Sequence, residues 1–324
     1  MILRNRSTCP GEEGVTDLRV AAPAASSRRP AETRSFDVPS NGATIAVRTQ
    51  GDSGQAVVLL HGGPGCPDYL QPVAQRLPGH LRAVTFDQRG VGGSTATRTF
   101  AVEDYLSDIE AVRRHLGVER IHVLGHSWGG LLAQLYANKY PQRVASMVLT
   151  NSAAGVGEQW RQVEREVMAY NRKRSGLAGF AVLGLWASLT LLPGRAGDGA
   201  GRRLLARVWR NYFPDNASAP PADPNWLRGA NSSAAINTTA AIRAADTNML
   251  AGLGSRLAVP VLVVYGEHDI YGASKDVLRT RFPAAQHVTL KDCGHLPWFQ
   301  ATDAFASLLN GFYAAAAPAA TEAI

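Results

Sequence analysis

The chain has 324 residues, 45% of them hydrophobic, which is enough apolar surface for a sizeable core and too much for a largely disordered polypeptide. Its formal net charge is +7, but the arginines are diffuse, which reads as solubility rather than as a nucleic-acid surface. Three widely separated cysteines (Cys9, Cys66 and Cys293) form no CxxC or Cys/His pattern that suggests zinc, and their odd number argues against a disulfide framework and fits a reducing compartment.

The N-terminal MILRNRSTCPGEEG has no continuous apolar stretch, so no secretory signal is expected and a cytoplasmic location follows. Residues 1–34 are rich in Ala, Pro, Ser, Arg and Glu and lack periodicity, and are expected to form a mobile tail. Short apolar runs then alternate with longer amphipathic ones. Strands are predicted at 44–49, 56–60, 83–86, 120–124, 145–150, 260–266 and 286–290, and helices at 103–116, 128–140, 274–282 and 300–313. Such alternation predicts an α/β fold, a mostly parallel sheet flanked by helices.

The alternation stops between Gly155 and Gly254. This interval has helical texture, holds Trp160, Trp186, Trp209 and Trp226, and carries twelve Arg/Lys against seven Asp/Glu. Because it falls between two strands of one sheet, it is expected to be an inserted helical cap (155–254) on a core made of 35–154 and 255–315, with 316–324 as a C-terminal tail. Inside it, GLAGFAVLGLWASLTLLP (176–193) is uncharged and flanked by Arg172-Lys173-Arg174 and Arg195. As a helix it would reach ~27 Å, near the bilayer minimum. The favoured reading is a cap helix buried between core and lid, with contact to a membrane surface or another subunit second. A transmembrane span would divide one sheet across the bilayer and is set aside.

Four elements carry chemistry. Ser127 lies in GHSWGG (125–130), a G-x-S-x-G placed between a strand and a helix, where glycines permit the sharp turn that exposes a nucleophilic hydroxyl. A serine also needs a base, a group to orient that base, and donors for the oxyanion. Among eight histidines, His295 in KDCGHLPW follows the last strand in a Gly-His loop and is the expected base. Asp269 in YGEHDIYG is the expected orienting acid, with Glu267 as runner-up and Asp292 as an anchor of its own loop. HGGPG (61–65) follows a strand. Pro64 has no N–H, so Gly63 is preferred over Gly62 as one oxyanion donor and the Trp128 amide is the second. The order Ser127, Asp269, His295 is that of α/β-hydrolases.

Together HGGPG, FDQRGVGGS (86–94), GHSWGG, GEHD and GHLPW resemble the α/β-hydrolase superfamily, specifically its proline iminopeptidase-like branch, over roughly 36–150 and 258–313. The resemblance implies serine acyl-enzyme chemistry, with Asp87 and Arg89 bracing the loop beside the active site. Two features depart from that branch. His126 precedes the nucleophile where iminopeptidases usually read GGSWG, as in many esterases and lactonases. RGANSS (228–233) has Ser232 where the branch places a glutamate for the substrate's amine; Glu158, Glu164 and Glu166 are substitutes or members of a solvated helix face.

The expected activity is hydrolysis of a small, largely apolar ester, lactone or amide, with no metal or organic cofactor. The cap tryptophans Trp160, Trp186, Trp209 and Trp226, with Gly62 and Trp298, would line the substrate pocket. The alternatives are a proline iminopeptidase acting on a short peptide, and an acyltransferase or cyclase using the same triad. The oligomeric state is not set by the sequence.

Overall fold

Successive side chains of a strand point to opposite faces, so unbroken apolar runs demand a sheet covered on both sides. The computed structural model describes residues 33–51, 53–95 and 99–316 and contains such a sheet. Its strands are β1 (Thr33–Ser40), β2 (Ala43–Gln50), β3 (Gln55–Leu60), β4 (Leu81–Phe86), β5 (Ile121–His126), β6 (Val144–Thr150), β7 (Val261–Gly266) and β8 (Gln286–Leu290). They lie in the order β1-β2-β4-β3-β5-β6-β7-β8. From β3 onward all are mutually parallel; β2 is antiparallel to β4, and β1 to β2.

Between the strands run α1 (Gln71–Ala74), α2 (Val102–His115) and α3 (Trp128–Lys139). After β6 come α4 (Glu158–Leu189), α5 (Arg195–Asn211), α6 (Pro224–Arg228), α7 (Ser232–Ala244) and α8 (Leu253–Arg256), before the chain returns to the sheet at β7. α9 (Ala273–Arg281), α10 (Pro297–Gln300) and α11 (Thr302–Ala316) complete the chain. β3 shows the two-sided burial plainly: Val58 and Leu60 pack with Ile109 of α2 and Leu131 of α3, while Val57 and Leu59 pack with Phe305 and Leu309 of α11.

Three expectations are corrected. The tail predicted over 1–34 gives way to β1 at Thr33 and Arg34; its other residues, and 317–324 of the C-terminal tail, lie outside the described residues, and Ala316 closes α11. β1 itself was not expected, because TRSFDVPS is an edge strand whose first residues are exposed and which carries a proline, so it lacks the alternation that marks a half-buried strand. The apolar segment 176–193 is not buried: within it only Leu183 is, and Leu177, Leu185, Leu191 and Leu192 are exposed. Gly176, at φ 66° and ψ 177°, interrupts α4, and α5 covers the second half of that helix on one side, with the Arg203 guanidinium over the Trp186 ring.

The loop after β4 is braced by charge. Asp87 accepts from Arg48 Nη2 (2.6 Å), Asp68 N–H (2.8 Å) and Gly93 N–H (2.9 Å). Arg89, fully buried, makes a bidentate pair with Asp108 of α2 (2.7 and 2.8 Å) and donates to the Asp104 carbonyl. Removing Asp108 takes away the bidentate partner of a fully buried guanidinium and leaves it only the more distant Asp104 carboxylate, 3.6 Å away. Asp108→Asn is therefore expected to lower unfolding free energy by about 3–5 kcal/mol, read from urea denaturation.

His122 of β5 lies buried between Ser146 Oγ (2.8 Å) and Gln55 Oε1 (3.0 Å), and burial pushes its pKa down to about 4. The folded value lies below the unfolded one, so the unfolded chain takes up the proton first. The contribution is complete above the unfolded pKa near 6.5 and is lost as pH falls toward 4, a change on the order of 3 kcal/mol. Urea midpoints measured across that window should fall less steeply for His122→Gln than for the parent.

Candidate active site

At the junction of β5 and α3, Ser127 has φ 58° and ψ −122°, a conformation that costs a non-glycine residue about 1–3 kcal/mol and persists only where the surroundings enforce it. The enforcement comes from close packing of the first turn of α3. A Cβ at Gly125 would lie 2.2 Å from the Gly129 carbonyl oxygen, and one at Gly129 would lie 2.0 Å from that of Leu60. The Ser127 N–H donates to the Thr150 carbonyl (3.2 Å), and the Ser127 carbonyl accepts from Gly130, Leu131 and Ala153. The backbone is held so that the hydroxyl stands above the sheet.

His295 lies in the loop between β8 and α10. Its Nδ1 is 2.6 Å from Asp269 Oδ1, and both side chains are only 2% exposed. Asp269 stands just beyond β7, and its Oδ1 also accepts from the Ile270 N–H. The other two acids weighed from the sequence lie apart: Glu267 is half exposed and accepts from the Asp292 N–H (3.2 Å), closing a loop-to-loop bond outside the cavity. Glu267, His268 and Asp292 also form an exposed cluster whose donor atoms lie within 4.8 Å of one another, a spacing that could hold a metal ion.

The His295 loop is clamped on several sides. Its N–H donates to the Tyr212 carbonyl (3.0 Å), which also accepts from Gln300 Nε2 (2.9 Å), and Asn151 Nδ2 donates to the Gly294 carbonyl (3.1 Å). His126 supplies the fourth hold. Its Nε2 lies 2.8 Å from the His295 carbonyl, which can only accept, so Nε2 carries the proton. Burial, then the neighbouring His295, push the His126 pKa well below its ordinary value, and the ring is neutral. Nδ1 must then accept from the Tyr69 hydroxyl (2.7 Å), which in turn accepts from the Gly62 N–H (2.8 Å).

That relay engages the Gly62 amide. The Gly63 and Trp128 amides have no acceptor among the described residues, which leaves both available to an oxyanion. Gly63 has φ +126°, and the loop is fixed from behind by His61. The Gln88 N–H donates to His61 Nε2 (3.1 Å), so Nδ1–H donates to the Gly62 carbonyl (2.8 Å). Gln88 also donates to the His61 carbonyl (2.7 Å) and accepts from the Trp128 indole (2.9 Å). Gly62 has a steric role as well: a Cβ there would lie 2.2 Å from the Tyr69 hydroxyl and 2.8 Å from Ser127 Cβ.

Ser127, His295 and Gly63 line one cavity of about 370 Å³, walled by Trp160, Trp209 and Trp226. A larger cleft of about 780 Å³, between residues 247–261 and α9, contains none of them. The serine and the imidazole are not hydrogen-bonded to each other among the described residues. Ser127 Oγ lies instead 3.0 Å from the Tyr271 hydroxyl, and the Tyr271 ring stands edge-on to His295 (5.3 Å, 89°). Burial pushes the Tyr271 pKa well above the ordinary phenol value, so this hydroxyl stays protonated.

Three residues expected in the pocket wall are elsewhere. Trp186 lies out on the cap under Arg203, Trp298 is buried beneath His126 (4.8 Å between rings), and Gly62 faces Tyr69 rather than the cavity. Four that sequence reasoning passed over do line it, Tyr69, Tyr212, Tyr271 and Arg243, the last paired with Glu164, one of the glutamates weighed from the sequence. Glu164 accepts from Trp160 Nε1 (2.9 Å) and from Arg243 Nε at both oxygens (3.0 Å). Glu166 accepts from the Gly272 and Ala273 amides and caps α9. Of the three glutamates read as a solvated face, only Glu158 is wholly that, paired with Arg161 and Arg165. Ser232 is turned away, donating to the Gly197 carbonyl. Cys66 borders the cavity as a neutral thiol, its pKa pushed up to about 12 by burial.

A family model described as alpha/beta hydrolase fold matches residues 55–302. The chain is 33% identical over 124 residues to a proline iminopeptidase of Lactobacillus delbrueckii subsp. bulgaricus, covering 35% of this chain and 41% of that protein. It is 42% identical over 101 residues to a proline iminopeptidase of Xylella fastidiosa, covering 30% and 32%. The matched region thus spans about two-fifths or less of those relatives' length. Among solved structures, VinJ superposes with a TM-score of 0.69 at 19% identity, covering 89% of this chain and all of that one. The enol-lactonase from Burkholderia xenovorans LB400 gives 0.60 at 23%, covering 86% and 100%.

Tyr271→Phe removes a hydrogen bond that holds Ser127 Oγ away from the imidazole. One such bond has a net worth of about 1 kcal/mol, so labelling of Ser127 by a fluorophosphonate should accelerate about fivefold, timed by gel fluorescence.

Proposed function

The chain belongs to the α/β-hydrolase fold family, and on that premise we propose that it is a serine hydrolase cleaving a small, largely apolar ester, lactone or amide through an acyl-enzyme. The observation that carries this reading is the buried His295–Asp269 pair, whose imidazole shares one cavity with Ser127 and Gly63, together with the unengaged amides of Gly63 and Trp128.

Substrate entry displaces the Ser127 hydroxyl from Tyr271 toward His295 Nε2. Ser127 Oγ attacks the carbonyl carbon as its proton passes to Nε2, and Asp269 stabilises the resulting imidazolium and keeps Nδ1–H pointed at the carboxylate. The former carbonyl oxygen, now anionic, accepts from the Gly63 and Trp128 amides, each donor worth about 3–4 kcal/mol in the transition state. Collapse breaks the bond to the leaving alcohol or amine, which takes the proton back from Nε2. Water, deprotonated by the same nitrogen, then releases the acid and restores the serine. The aromatic and aliphatic wall favours an apolar acyl or leaving group.

A second reading, N-terminal proline peptidase, is supported by the identity to iminopeptidases over about a third of the chain. Such a substrate needs a carboxylate for its ammonium group, and Glu164, the carboxylate on the cavity wall, is already matched by Arg243 and Trp160. An entering ammonium would have to displace a guanidinium from it, which favours the ester, lactone or amide reading.

Ser127→Ala should lower turnover by about four to six orders of magnitude with an unchanged melting profile. Asp269→Asn should lower kcat about 10⁴-fold while Glu267→Gln stays near the parent; the reverse order would reassign the acid. In a panel of p-nitrophenyl acyl esters and proline p-nitroanilide, the esters should be turned over faster, and a dominant proline anilide activity would select the peptidase reading.

A further inference from the structure

We propose that the outer face of the cap, formed by the second half of α4, the turn 190–194 and α5, docks on an anionic lipid surface. Seven large apolar side chains are exposed among the described residues, and five of them, Met168, Leu177, Leu185, Leu191 and Leu192, lie within 25 residues of cap. Leu177 is 75% exposed and Leu191 73%. A monomer rarely presents such a cluster without a surface to receive it.

The charge around this face is predominantly positive. No Asp or Glu occurs between Glu166 and Asp198. Glu166 is spent on the Gly272 and Ala273 amides, and Asp198 accepts from the Ser232 N–H. The next acids, Asp215 and Asp223, lie past the end of α5. Against these stand exposed Arg172, Lys173, Arg195, Arg203, Arg207 and Arg210. Leucines for the acyl boundary with arginines at headgroup level are the composition of an interfacial helix.

The geometry fits lying on a bilayer rather than crossing it. Gly176 breaks α4, so the apolar half runs only from 177 to 189, ~20 Å of helix against a ~30 Å hydrocarbon core. No helix among the described residues is long and apolar enough to cross a membrane. A second copy of this chain is a poorer occupant, because an isologous contact through this face would set two basic rims against each other. Met168, in the first half of α4 ahead of the break at Gly176, is exposed and also lines the 370 Å³ cavity, so the helix that carries the docking face also walls the cavity.

The test is co-sedimentation of the full chain with vesicles of phosphatidylcholine alone or with about 30% phosphatidylserine, at about 50 mM and 500 mM NaCl. Binding is expected only with phosphatidylserine, falling at least tenfold at high salt. Leu185→Glu with Leu191→Glu, and separately Arg195→Glu with Arg207→Glu, should each weaken it at least tenfold, with melting profiles and turnover of a soluble ester unchanged. Equal binding to neutral vesicles, or none to either, overturns the proposal. So does a dimer in sedimentation velocity that Leu191→Glu dissociates, which would make this face a contact between copies. Because the readout is vesicle binding, it stands or falls independently of which bond the site cleaves.

Discussion

The site is held together by one neutral imidazole. His126 accepts from Tyr69 on one side and donates to the His295 carbonyl on the other, so the loop after β3, the end of β5 and the loop after β8 are fixed to each other through a single ring. The arrangement depends on that ring being uncharged: a proton on Nδ1 would deprive the Tyr69 hydroxyl of its acceptor and crowd two donors, Nδ1–H and the Gly62 N–H, onto one phenol oxygen. Burial in an aromatic surround, with Trp298 beneath and His295 beside it, supplies the required bias. The histidine before Ser127 is therefore an architectural part here, whatever it signifies as a family marker.

Much of the core was legible because it rests on local rules. Apolar runs marked the central strands, and the glycines around Ser127 announced a turn that only close backbone contact explains. The Gly-His loop carrying His295 was readable from its place after the last strand, and Asp269 was preferred over Glu267 for its place in the turn beyond β7. Lone features failed where burial did not reveal itself by period. β1 exposes its first residues and carries charge, so nothing in TRSFDVPS marks it as a strand, and Thr33 and Arg34 read as tail.

The contacts that define the pocket were not legible, because they join positions remote in sequence with no pattern between them. Glu164 and Arg243 lie 79 residues apart, and Tyr271 meets Ser127 across 144. The tryptophans illustrate the same limit. Their clustering in the insertion suggested one aromatic wall, yet Trp160, Trp209 and Trp226 face the cavity while Trp186 sits outside, because the break at Gly176 redirects the helix that carries it. The hydropathy of 176–193 pointed to burial for a related reason: composition records how apolar a segment is, not which neighbour is present to cover it.

The Tyr212 carbonyl, held at once by the His295 backbone and the Gln300 side chain, has a mechanical corollary. Lifting that peptide with the insertion would break both bonds and disturb the loop that carries His295. A rearrangement of side chains at the cavity rim, by contrast, leaves that tether between the insertion and the His295 loop intact.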